Sequence, residues 1–229
     1  MDYIKNKFCA LIMAAGSSSR MKGKPKQFIE IDGKSVLLRS LQAFENNEWV
    51  DKIIVVSKTQ YFEEINKQAQ EGNVSKFAGV VSGGNSRMDS VKEGMKYIGG
   101  SQYVLVHDCA RPLVTDKVIG DVAYAAIQYG AAICGVAVKD TIKKIDESGM
   151  VAQTFERASL ISVQTPQGFK AELLNCALNN ADNLSTYTDD ASVVEAAGHN
   201  VKVVQGDYKN IKITTNEDIA TAIGFLKEK

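Results

Sequence analysis

Apolar positions along the chain fall into two alternating patterns. Short consecutive runs stand at 8–15 (FCALIMAA), 52–57 (KIIVVS), 77–83 (FAGVVSG), 103–108 (YVLVHD) and 131–138 (AAICGVAV). Between them, at 35–47, 60–71, 86–98 and 117–130, apolar residues recur every three or four positions. A strand that is apolar on consecutive positions is covered on both faces, whereas the three-to-four spacing makes a helix with one buried side. Their alternation predicts an α/β chain wound in βαβ units around a parallel sheet.

After Val138 the alternation breaks. Residues 139–160 offer two short strands about the turn signal Asp146–Gly149 with no helix between them, which predicts a hairpin arm leaving the body. A two-stranded hairpin alone is marginal in water, so the arm is expected to pack on a second copy of the chain and make a homodimer. The alternation resumes with LISVQTPQGF at 160–169, helices at 170–181 and 189–198, strands at 201–205 and 210–215, and a closing helix from Asn216. The expected organisation is one domain over 1–229 with a dimerisation arm at about 139–160.

Composition narrows the classes. Hydrophobic residues at 45% and charged residues at 24% suit a globular protein rather than a disordered one. With 27 basic and 27 acidic residues the net charge is zero, so no nucleic-acid or membrane surface is expected and any anion affinity must be local. Cys9, Cys109, Cys134 and Cys176 lack CxxC spacing, which points to free thiols in a reducing cytoplasm rather than zinc or disulfide chemistry. The opening, with Lys5 and Lys7 before an apolar stretch, imitates a secretory signal; the stretch is short and its pattern repeats as internal strands, so that reading is rejected. No segment approaches the about 18 apolar residues of a membrane helix.

The connection after the first strand, MAAGSSSRMKGKPKQF at 13–28, exceeds the about two to six residues usual between a strand and a helix. It opens on small residues and closes on cations, the composition of an anion site. A P-loop would need GxxxxGK[ST], but GKS at Gly33–Ser35 has Phe28 five positions before Gly33 and follows FIEID. A dinucleotide loop would need GxGxxG and an acidic residue closing the second strand. Here Gly16 stands alone, Ser18 and Met21 take the other glycine positions, and that strand closes on Ser57 and Lys58. What remains is a backbone cradle at Gly16 and the serines, with Arg20 and Lys26 closing over a polyphosphate and Pro25 stiffening the approach of Lys26.

Two further strand ends point at the same crevice, where ligands of open α/β sheets gather. Asp108 closes YVLVHD, followed by Arg111; a carboxylate beside a triphosphate is a fitting Mg²⁺ ligand. Gly83 and Gly84 permit close backbone approach, and Arg87 and Ser90 lie one turn apart on the helix that follows. His107 is read as a hydrogen-bonded strand-end residue without a catalytic role.

The strings AAGSSSRM with PKQF, GGNSRMDSV, HDCARP, DTIKK, QTPQGF, TDDAS and NIKIT occur in the order and spacing of a known family. From about Cys9 to Asp218 the chain resembles the 2-C-methyl-D-erythritol 4-phosphate cytidylyltransferases of non-mevalonate isoprenoid synthesis. It departs from them at Ser18, where glycine is frequent, and at Cys109, where alanine is usual. The resemblance implies a Rossmann-like three-layer nucleotidyltransferase fold with a mostly parallel sheet and a protruding β-hairpin arm. It implies Mg²⁺, CTP and a sugar-alcohol phosphate that attacks the α-phosphate in line. Such a phosphate monoester is already largely dianionic, with a second pKa of about 6, so no general base is needed. The resemblance places Arg20, Lys26 and Lys212 in charge stabilisation, and Ala14, Ala15, Gly16, Ser18, Gly83, Gly84, Arg87 and Ser90 about the nucleotide. It places Asp108 on the metal and the acceptor, with Arg111, Thr188 and Lys212 on the acceptor side and Thr141 and Arg157 reaching the acceptor phosphate of a neighbouring subunit. The alternatives are ribitol-5-phosphate cytidylyltransferase, a sister activity differing only at the acceptor, and a nucleotide-binding module without catalysis. HDCARP and ERASLISVQTPQ look closer to the methylerythritol branch.

Overall fold

The structure, a computed structural model, describes residues 8–16 and 25–228. In chain order, β1 (Phe8–Met13) precedes a small hairpin, β2 (Glu30–Ile31) and β3 (Lys34–Ser35), which leads into α1 (Val36–Glu45). There follow β4 (Val50–Ser57), α2 (Phe62–Glu71), β5 (Phe77–Ser82), α3 (Arg87–Met95), β6 (Tyr103–Asp108), α4 (Asp116–Tyr129) and β7 (Ala131–Ala137). The arm is β8 (Lys143–Ile145) and β9 (Val151–Thr154), after which come β10 (Ile161–Lys170), α5 (Ala171–Asn180), α6 (Asp190–Ala196), β11 (Lys202–Gln205) and α7 (Asn216–Lys227).

Seven strands form one sheet in the order β11-β7-β10-β6-β1-β4-β5. All neighbours are parallel except β10, which runs antiparallel to both β6 and β7. The chain leaves β7, makes the arm and returns, so β10 is reversed and its first half reaches the pole where the parallel strands end. The apolar alternation within β1 sorts its side chains to two cores. Phe8, Ala10 and Ile12 pack with α1 and α4 residues such as Leu37, Phe44 and Val118, and Cys9 and Leu11 with Met88 and Val91 of α3 and Leu174 of α5. Each such fully buried Leu, Ile or Phe contributes about 1.5–3 kcal/mol. Helix starts are fixed by side chains: Ser35 accepts from Leu38 N–H, Thr115 from Val118 N–H, and Ser86 with Asp89, Asp189 with Ser192 and Thr215 with Asp218 form capping boxes.

One local expectation, the strand at 210–215, is revised, and the rejected GKS triplet finds its own explanation. The GKS triplet is half of a hairpin turn in which Asp32 (φ 49°) and Gly33 (φ 74°) both take the left-handed conformation, and Ser35 caps α1. Residues 210–215 form no strand: Ile213 is fully buried and Ile211 packs on the core, as their alternation implies, but the backbone crosses the β6–α4 connection, where Ile213 N–H donates to Ala110 O at 2.8 Å. The arm hairpin pairs Lys143 with Thr154 and Lys144 with Gln153; its turn is held by Asp146 Oδ1, which accepts from Ser148 N–H and Met150 N–H, with Gly149 at φ 83°. Ile145, Met150 and Val151 lie 61%, 68% and 58% exposed, so none of the described residues covers the arm's apolar side. Among the described residues no helix is long and apolar enough to cross a membrane.

Candidate active site

A cavity of about 550 Å³ opens where the parallel strands end. Ala14, Ala15 and Gly16 follow β1, Lys58 follows β4, and the β5–α3 turn brings Gly84, Asn85, Ser86, Arg87 and Ser90. Asp108 and Cys109 close β6, Lys26 stands on a short helical turn capped by Pro25, and the segment before α7 brings Lys212 and Thr214. The glycine pair is demanded by the protein's own packing. A Cβ at Gly83 would stand 2.7 Å from Ala15 Cβ and 2.8 Å from Ser90 Oγ, and one at Gly84 would stand 2.5 Å from Asp89 Cβ. Ser90 Oγ accepts from Gly84 N–H at 3.0 Å and donates to Ser86 O at 2.8 Å, pinning the turn against α3.

Charge is concentrated on Asp108. Its carboxylate oxygens meet Arg87 Nε at 3.2 Å and Lys212 Nζ at 2.6 Å. Burial works to raise its pKa, but the two cations overcome burial and hold it well below the usual carboxylate range. Arg87 gives its other two nitrogens to the fully buried Asp190 at 2.9 and 2.8 Å. Burial opposes that guanidinium's charge, and Asp190 and Asp108 more than restore it. Burial pushes the Cys109 thiol up to about 12, so it is no nucleophile near neutrality. His107 is fully buried, with Nε2 3.2 Å from Arg111 O and Nδ1 3.1 Å from Thr165 Oγ1; burial lowers its pKa to about 4 and keeps the ring neutral.

The crevice gathers Lys26, Lys58 and Lys212, and none of its described lining residues is a histidine. The family model described as 2-C-methyl-D-erythritol 4-phosphate cytidylyltransferase matches residues 8–228. The chain belongs to that family. It is 46% identical over 225 residues to the Bacillus cereus protein of that name, covering 96% of this chain and 98% of the relative. It is 42% identical to the Halalkalibacterium halodurans protein of the same name, covering 97% and 98% of the two chains. Among solved structures, 4-diphosphocytidyl-2C-methyl-D-erythritol synthase from Anaerococcus prevotii superposes with a TM-score of 0.85 at 31% identity, covering 96% of each chain. The Francisella tularensis 2-C-methyl-D-erythritol 4-phosphate cytidylyltransferase does so at 0.79 and 32%, covering 94% of this chain and 97% of that one. The chain is thus a nucleotidyltransferase with an α/β fold, and the non-catalytic alternative falls away.

Of the residues the cytidylyltransferase motifs single out, Ala14, Ala15, Gly16, Lys26, Gly84, Arg87, Ser90, Asp108 and Lys212 line the cavity, and Gly83 sits directly behind it against Ala15 and Ser90. Ser18 and Arg20 lie outside the described residues. Arg111 stands back from the lining. Its guanidinium donates to Asn210 O at 2.7 Å, and its buried Nε has no hydrogen-bond partner among the described residues. Thr188 is exposed just before the Asp189 cap of α6. Thr141 and Arg157 are exposed at the base of the arm, where Arg157 Nη1 donates to Lys139 O at 3.0 Å and Phe155 N–H to Ile142 O at 3.1 Å. Lys58, Asn85 and Thr214 also line the cavity although none is named above as a site residue; Asn85 stands within GGNSRMDSV, Thr214 within NIKIT, and Lys58 directly follows β4.

Proposed function

We propose that CTP and 2-C-methyl-D-erythritol 4-phosphate meet in this crevice and leave it as 4-diphosphocytidyl-2-C-methyl-D-erythritol and pyrophosphate. The observation that carries the reading is the ionised Asp108 carboxylate held between Arg87 and Lys212 in a cavity that Ala14–Gly16 and Lys26 also line. The acceptor's phosphate oxygen attacks the α-phosphorus as the bond to the bridging β-phosphate oxygen breaks. The nucleophile arrives deprotonated. This suits a cavity whose neighbouring histidine is neutral and hydrogen-bonded on both nitrogens, and whose thiol is protonated. What the protein must supply is fixed positive charge for the transferring and leaving phosphates, assigned to Lys26 and Lys212, with Arg20 added by the family motif. The cradle of Ala14, Ala15, Gly16 and Ser18 takes the triphosphate, and Gly83, Gly84, Arg87 and Ser90 frame the cytidine.

Mg²⁺ fits the donor set. One ionised carboxylate beside a polyphosphate is what magnesium uses, completing its shell with phosphate oxygens and water. Among the described residues no group of three or more metal-ligating side chains offers an all-protein cage. Asp108 would hold the ion, which supplies charge neutralisation at the phosphates. On the acceptor side we place Asp108, Arg111, Thr188 and Lys212, and, from a second subunit, Thr141 and Arg157; the bare apolar side of the arm supports such a homodimer. The four free thiols suit a reducing cytoplasm.

Pyrophosphate release, measured with CTP and either methylerythritol phosphate or ribitol 5-phosphate, tests the reading. Turnover is expected with the first; preference for ribitol 5-phosphate would move the chain to the sister activity.

A further inference from the structure

β10 contributes no residue to the cavity lining, yet its Gln164-Thr165-Pro166-Gln167 run is buried and spends its polar groups on the segments that do line it. Thr165 Oγ1 lies 3.0 Å from Asp108 N and 3.1 Å from His107 Nδ1. The other ring nitrogen, Nε2, faces the Arg111 carbonyl at 3.2 Å. A carbonyl only accepts, so the imidazole carries its proton on Nε2 and the Thr165 hydroxyl must donate to Nδ1. Its oxygen then accepts from Asp108 N–H, and the direction of every bond in the row is fixed. The backbone that presents the Asp108 carboxylate is thereby tied to β10.

The same strand holds the segment that carries Lys212. That segment has no strand ladder to keep it in register; side chains do the work instead. Asn210, fully buried, donates from Nδ2 to Thr165 O at 2.9 Å, and its own carbonyl accepts from Arg111 Nη1 at 2.7 Å. Gln164 donates to Asp207 O at 2.8 Å and accepts from Asp207 N–H at 3.3 Å. On its other side, Gln167 donates to Asp189 Oδ2 at 2.8 Å and accepts from Ala191 N–H at 2.9 Å. This sets the start of α6, where Asp190 grips the guanidinium of Arg87 that reaches Asp108. Two segments bearing charged groups of the cavity, and the helix start that grips a third such group, are thus fastened to one strand that bears none.

We propose that Thr165, Asn210 and Gln167 are positioning residues for cytidylyl transfer: they set Asp108, Lys212 and Arg87 relative to one another without lining the cavity. This rests on the reading of the crevice given above. Displacement of a reacting group by about 1 Å costs on the order of a hundredfold in rate. A loosened clasp therefore lowers kcat while leaving CTP, held chiefly by the β1 and β5 ends, in place.

The test uses Thr165→Val and Asn210→Ala, each alone and in a Lys212→Ala background; Asn210→Ala leaves the backbone bond to Arg111 intact. Each alone should lower kcat about tenfold or more while the calorimetric Kd for CTP stays within about threefold, and Thr165→Ser should recover most of the rate. Residues acting through a shared partner are non-additive, so in the Lys212→Ala background the further loss from Asn210→Ala should shrink to under about threefold. Unchanged kcat, CTP affinity falling in step with kcat, or equal losses in both backgrounds would overturn the proposal. Circular dichroism reports folding, and if one variant does not fold the other decides. A wild-type chain inactive in the same assay would count against the reading of the crevice, whereas an active wild type with an equally active Asn210→Ala counts against the clasp.

Discussion

Lys26 is an ammonium whose value rises as negative charge develops on the leaving pyrophosphate, so its removal should fall on rate rather than on binding. Lys26→Ala is expected to lower kcat about a hundredfold or more while calorimetric CTP affinity changes far less. Affinity falling in step with kcat would show a ground-state binder. Asp108→Asn keeps the shape and removes the charge, and should abolish Mg²⁺-supported turnover; full activity would strike Asp108 from the metal role. His107 contributes through pH. Its folded pKa of about 4 lies below the ordinary 6.5, so between those values the unfolded chain binds a proton that the folded chain does not. Stability is fully present above about pH 6.5 and declines as pH falls towards 4, by up to about 3 kcal/mol. Of the charged groups that face the ring, Arg111 stays protonated, and Asp108 is ionised in both states over most of that window. Urea titrations at pH 5 and 7 should show this loss in the wild type and a smaller one in His107→Gln. Asp108, Lys26 and the glycine pair could be found from sequence because each ends or follows a strand that the apolar pattern marks. Asp190, Gln167 and Asn210 could not, since a polar residue shows its worth there only once its burial is known.

The elements were legible to the extent that burial dictates them. Consecutive apolar runs and one-sided helices follow from side chains alone, and the sheet core carries just those runs. The segment 210–215 shows where this stops: alternate isoleucines specify which side chains go inward, but not which backbone they lie against, and here no strand edge is beside them. The β2–β3 hairpin did carry a signal, the Asp32-Gly33 pair whose left-handed backbone matches strand twist. The β5–α3 turn yields a sharper test. Gly83→Ala forces its methyl into Ala15 and Ser90, so either the β1 end or the turn must shift. A cost of about 1–3 kcal/mol is expected, with weakened CTP binding, read from thermal melting and calorimetry. An alanine variant as stable and as tight as wild type would mean that the crowding is relieved without moving the crevice.

At the scale of the whole molecule, the arm predicts a shared site. A Lys26→Ala chain and an Arg157→Ala chain, each inactive alone, should rescue one another on mixing, because one site in each mixed dimer keeps both residues. Free exchange would make half the dimers mixed and recover about a quarter of wild-type activity. A monomer by sedimentation, or no recovery after verified exchange, would sink the shared site. The sequence break after Val138 announced the arm, whereas nothing in it announced that the returning strand would sit between β6 and β7. That insertion has a consequence for biosynthesis. β6 and β7 leave the ribosome in succession but cannot pair, and the strand that bridges them follows a few seconds later at about 5–20 residues per second. Until it arrives the first half of the sheet, β5-β4-β1-β6, has an open edge at β6 inviting a wrong partner, and the second half is β7 alone, because β11 follows later still. Pulse-labelled hydrogen exchange during refolding should therefore protect the amides of β1, β4 and β6 before those of β7 and β10. Simultaneous protection would show that the halves do not form separately. If they do, cytidylyl transfer is a property only of chains that have closed the gap, and activity itself becomes a gauge of completed folding.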